Sequence, residues 1–164
     1  MKKLQNIIDN ITDKIGYFVS YLIVVMVFLV IVILFLRYVL NIGNVALQES
    51  VMYLHAIFFM LGIAFAIKEN SHVKIDIFAN KLNSKQKNII FILGTLFFII
   101  PFSFFIMYIS ADMVSKSWLI MEQSGEAGGL NFVYILKSII PLTGFLIFLQ
   151  SISELIKKIT SLLQ

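Results

Sequence analysis

The chain has no cysteine, only two prolines, one tryptophan and two histidines among its 164 residues, and just 13% of them are charged. Without cysteine it can form no disulfide and offers no thiolate to a metal or a redox centre. So little charge, set against 60% hydrophobic residues and a mean hydropathy of +0.96, excludes an ordinary water-soluble fold. Soluble domains are about half apolar and roughly a quarter charged, and a chain this short could not bury so much Ile, Leu, Phe and Val. The natural solvent is the bilayer. A net charge of +4 is compatible with nucleic acid, but the lysines punctuate apolar runs and form no basic face, so nucleic-acid binding is set aside.

What is present is long apolar runs. The opening MKKLQNIIDNITDKIGYF is basic, but the run after it is too long for a signal-peptide core and no A-x-A-like site follows. It reads as a retained first span with a short amphipathic lead-in of Leu4, Ile7, Ile8, Ile11 and Ile15. Charge-free intervals then run from Lys14 to Arg37, Glu49 to Lys68 and Lys87 to Asp112. The first of these would reach roughly 33 Å as a helix, against a hydrocarbon core of about 30 Å. A fourth, Lys137 to Glu154, is long enough if Phe132 to Leu136 are included and Lys137 snorkels to the headgroups. Backbone groups in lipid must be satisfied by helices or a closed barrel, and these runs lack barrel alternation. The expected fold is an all-α integral membrane protein, residues 1–164 forming one four-helix domain with spans near 15–36, 50–67, 88–111 and 132–153.

Of the 13 lysines and arginines, all but Arg37, Lys116 and Lys137 fall in the N-terminal segment, the second connection or the C-terminal tail. The positive-inside rule therefore predicts cytoplasmic termini and a cytoplasmic second connection in a multi-pass inner-membrane protein. The polar stretch KENSHVKID, residues 68–76, would lie just below the second helix. Beyond it Ile75, Phe78 and Leu82 recur at i, i+3 and i+7, as in a short amphipathic helix at the membrane interface. The opposite loop, KSWLIMEQSGEAGGLN, carries one lysine, two glutamates and the Gly128-Gly129 break, and suits the periplasmic side.

Few residues could carry chemistry. His55, inside the second span, could ligate haem or relay protons, but the only other histidine, His72, lies outside the spans. A helix–helix hydrogen bond is the plainer reading. Glu49 and Arg37 fall at the outer ends of spans two and one, across a connection with Gly43 and Asn44, where they could pair and pin the hairpin. Glu49 could alternatively be a proton-coupling carboxylate, although no charge sits at mid-depth in any span. Pro101 and Pro141 would kink spans three and four, and Gly62 with Ala66 gives a small-residue face suited to close packing. No nucleophile–base pair, phosphate loop or metal-ligand cluster is visible, so neither a cofactor nor enzymatic activity is expected.

The order of several motifs is familiar. LRYVLN (36–41) closes the first span with an arginine and an aromatic. In ESVMYLHAIFFMLGIAFAIKENSHVKID (49–76) an acidic residue opens the second span, which ends in small residues and an H-V-x-x-D turn formed by His72, Val73 and Asp76. GGLNFVYILKSIIPLTGFLIFLQSISE (128–154) places Gly128 and Gly129 ahead of Lys137, Pro141 and a glutamine. Over nearly its whole length the chain resembles the small permease subunit of tripartite ATP-independent periplasmic (TRAP) transporters, the DctQ-like family. It departs from that pattern in having ALQES where a tryptophan often precedes the acidic position, and Asn131 where a proline often follows G-G-L.

The resemblance implies a subunit that braces the scaffold of a large permease subunit. That partner would hold the substrate and sodium sites, and a periplasmic substrate-binding protein would deliver a solute, often a carboxylate. His72 and Asp76 would cap the cytoplasmic end of the second helix against membrane lipid. Two other readings stay open from the residues: a self-sufficient homodimeric proton-coupled carrier using Glu49, and a haem-bearing anchor of a quinone-linked enzyme using His55.

Overall fold

Four long helices account for nearly all of the structure, a computed structural model that describes residues 2–69 and 82–162. They are α1 (Lys2–Tyr38), α2 (Val45–Lys68), α3 (Ser84–Leu119) and α4 (Val133–Leu162). Each is long and apolar enough to cross a membrane. His72, Asp76 and the interfacial helix expected around Ile75 and Phe78 lie outside the described residues.

The helices begin and end where local chemistry dictates. α1 stops at a reversal in which Asn41 takes a left-handed φ of 56° and Ile42 N–H donates to the Leu36 carbonyl at 2.9 Å. Asn44 then caps α2, its side chain accepting from Leu47 N–H at 3.0 Å. α3 opens with a reciprocal capping box between Asn83 and Gln86. Within α3, Thr95–Ile99 widens into a π-helical stretch two residues before Pro101. Proline lacks the N–H that would bond the carbonyl four residues back and its ring would strike that carbonyl, so a wider turn relieves the crowding. Pro141, by contrast, sits inside an α4 that runs on unbroken.

α4 is the hub. It packs against each of the other three helices, and 56% of its apolar window is buried against 6% for α1. Its neighbour α3 offers Ser103, Ser110 and Ser117, seven residues apart and all buried. The Ser103 and Ser110 hydroxyls donate back to the carbonyls of Ile100 and Ile106, at 2.7 and 2.6 Å, so a small side chain is buried with its polar atom satisfied. Opposite, Gly144 brings α4 so near that an added Cβ would lie 3.0 Å from the Ser103 carbonyl oxygen and 2.9 Å from Met107 Cγ. Gly16 of α1 serves in the same way beneath the Phe65 ring of α2. The expected Gly62–Ala66 face is not a comparable approach, because nothing lies within 4 Å of a Cβ built on Gly62. Most remaining apolar side chains, Tyr108 and Phe98 among them, point outward.

Candidate functional site

The clearest built feature lies at the end of the bundle carrying the two connections 39–44 and 120–132. Glu49, one turn into α2, aims its carboxylate at the second of these. One oxygen accepts from the Ser124 hydroxyl and the other from Leu130 N–H at 2.6 Å. Ser124 and Leu130 are themselves joined, Ser124 N–H donating to the Leu130 carbonyl at 3.0 Å. Between them the chain turns on Gly128, whose φ of 78° suits glycine, and Gly129 N–H donates to the Glu126 carbonyl at 3.0 Å. Gly129 has no room for a side chain: a Cβ there would meet Ser124 Oγ at 2.5 Å and Glu49 Oε1 at 2.8 Å. Glu49, Gly128 and Gly129, far apart in sequence, thus form one clamp.

A second tie sits beside it. α3 ends in a Schellman motif with Met121 left-handed at φ 45°, Glu122 N–H donating to the Ser117 carbonyl and Met121 N–H to that of Trp118. The turn brings Glu122 over its own helix, where it accepts from the Ser117 hydroxyl at 2.6 Å and from Lys137 Nζ at 2.5 and 2.7 Å. Hydrogen bonding from Lys137, and then from Ser117, holds the Glu122 carboxyl below its ordinary value. Lys137 is therefore an ion-pair partner fastening α4 to the turn that ends α3. Trp118 adds an edge contact with Tyr134 and donates from Nε1 to Ser138 at 2.8 Å.

The expected Arg37–Glu49 pair is absent. Arg37 is exposed and lines a small hollow with Leu47 and Gln48. Glu49 stands one residue further on, about 100° around the helix, and faces the glycine loop. His55 finds no hydrogen-bond partner among the described residues. It is exposed on α2 with its ring stacked over Phe59, centroids 6.5 Å apart.

The opposite end holds a polar network that sequence reasoning did not anticipate. Gln150 of α4, fully buried, accepts from the Thr12 hydroxyl at 2.7 Å and donates to Asp9 at 3.1 Å. Ser153 donates to the same Asp9 oxygen at 2.9 Å, while Lys157 bridges Asp9 at 2.8 Å and Glu154 at 2.6 Å. Alongside, Lys68 at the end of α2 pairs with Asp13 of α1. The lead-in is thus the first part of α1 itself. Its inward face is Ile8, Thr12, Gly16 and Val19, whereas Leu4, Ile7 and Ile11 remain exposed. The available signal was an acid at the start of one apolar run matching a lysine at the end of another.

Chemically, both ends of the bundle use carboxylates to hold neighbouring segments. The ties spend the carboxylates' oxygens on hydrogen bonds inside the chain. Among known families, residues 23–161 match the model described as "Tripartite ATP-independent periplasmic transporters, DctQ component". Comparison with curated proteins finds no match.

Proposed function

The chain belongs to the DctQ component family of tripartite ATP-independent periplasmic transporters, a family of transporter subunits and not of enzymes, and from that premise we propose that it acts as the static brace of its transporter. In this reading it docks on the large membrane subunit, the DctM component, stiffens that subunit's scaffold and leaves substrate and sodium binding to it. A periplasmic binding protein, the DctP component, supplies the solute, with a carboxylate as the expected class. The connection end with the Glu49 clamp faces the periplasm and both termini face the cytoplasm, following the lysine and arginine distribution.

The observation that carries the brace reading is where the carboxylates are spent. Glu49 and Glu122 tie the connection end, and Asp9, Asp13 and Glu154 tie the other, each to a partner within the chain. A coupling carboxylate must instead exchange its partners during a transport cycle. Co-expression tests the proposal: this chain should co-purify with the large subunit and raise its yield from membranes. A large subunit that is stable and fully active in uptake without this chain would refute the brace.

A further inference from the structure

One exposed polar group without a hydrogen-bond partner among the described residues, His55, stands near the middle of an apolar helix. α2 spans Val45–Lys68, so His55 lies about 15 Å from its start, near the middle of the helix. Its side chain is exposed rather than packed inside the bundle. A neutral imidazole carries one N–H donor and one acceptor nitrogen, and hydrocarbon satisfies neither. Two turns earlier Gln48 exposes an amide on the same face. Both border a groove of about 540 Å³ between α1 and α2, walled otherwise by apolar residues such as Met26, Val30 and Met52.

We propose that this groove is the docking face for the large subunit, and that a transmembrane helix of that subunit lies in it with a hydrogen-bonding side chain against His55. The proposal rests on the brace reading and deepens it by naming the face. Three occupants can be compared. A lipid acyl chain would fill the apolar walls but leave His55 and Gln48 unsatisfied. A second copy related by two-fold symmetry would present the same concave groove, and two grooves facing each other fill neither. A single convex helix with a polar side chain at the depth of His55 answers both the shape and the hydrogen-bonding need. The methionines suit such a contact, since their flexible side chains adapt to a partner's surface.

The experiment uses the co-expressed complex and the natural lack of cysteine. A benzophenone-maleimide probe is attached at Met52→Cys or Val27→Cys on the groove, and at Tyr108→Cys on exposed α3 as comparison. Adducts with the large subunit are expected from the groove positions and not from position 108. His55→Leu should weaken association by between about 3-fold and 20-fold, the span of interhelical hydrogen bonds in membranes, while His55→Gln should retain most of it. The monomer's own thermal stability should be unchanged in both. Adducts with the large subunit from position 108 alone, or groove adducts only with lipid or a second copy, would overturn the docking face and leave the brace intact. Failure of the wild-type chain to co-purify with the large subunit would overturn the brace reading and the docking face together.

Discussion

Replacing Gly129 with alanine adds one carbon at the most crowded point of the Glu49 clamp. That carbon would fall 2.5 Å from Ser124 Oγ, 2.6 Å from Ser124 Cβ and 2.8 Å from Glu49 Oε1. Ordinary contacts between such atoms are about 3.5–4.0 Å, so Ser124 must retreat by roughly 1 Å. The retreat breaks its hydrogen bond to Glu49 and strains the Ser124–Leu130 closure. Overpacking of this kind costs about 1–3 kcal/mol. Two neighbouring glycines calibrate the effect. Gly128 has open space but a positive φ, so Gly128→Ala should cost about 1–2 kcal/mol from backbone strain. Gly125 has neither constraint, and Gly125→Ala should change little. Thermal unfolding of the detergent-purified chain, with hydrogen exchange at the Leu130 amide as a local probe, measures all three. Exchange at Leu130 should rise in Gly129→Ala and stay unchanged in Gly125→Ala. Equal behaviour of the three variants would mean that the carboxylate does not hold this loop.

Further outcomes follow from the other ties. Gln150→Leu strips the acceptor from buried Thr12 and a donor from Asp9, which should cost about 1–3 kcal/mol in unfolding and speed proteolysis near the N-terminus. Because Lys137 and Ser117 lower the Glu122 carboxyl below its ordinary 4.5, the stabilisation it lends is complete above that value. It is lost as pH falls through the lowered folded value, and Glu122→Gln should flatten the acid limb of a stability-versus-pH curve. Single cysteines at Gln123 and Lys85 should label from the periplasmic and cytoplasmic sides respectively, and the reverse pattern would overturn the orientation drawn from the lysines and arginines.

How much of this could be read beforehand depended on the range of the interaction. The four helices were legible because a membrane span is a local property: each charge-free interval, such as Lys14 to Arg37, falls within one observed helix. The helices overrun those intervals at their ends, since charged residues such as Asp9 and Lys157 continue the helix while pairing across the bundle. Glu49, Gly128, Gly129 and Lys137 were recognisable as candidates, but not their geometry. Nothing in the local pattern tells which way Glu49 turns, and its attachment to Leu130 joins residues on different helices and loops. Thr12 gave no signal, and Gln150 stood out only as the glutamine of the last motif, because their bond joins residues 138 positions apart in the chain. The π-helical stretch before Pro101 marks another limit, because a kink was foreseeable from proline alone but its form was not.

The central claim, a brace and not a carrier, is tested most directly by uptake into proteoliposomes. Three preparations are compared under a sodium gradient: this chain alone, the large subunit alone with the binding protein, and all three components together. No uptake is expected from this chain alone, and full uptake from the complete set. In that complete set, Glu49→Gln should reduce uptake only as far as it reduces the amount of assembled complex. Solute accumulation by this chain alone, or abolished uptake in Glu49→Gln at undiminished assembly, would contradict the brace.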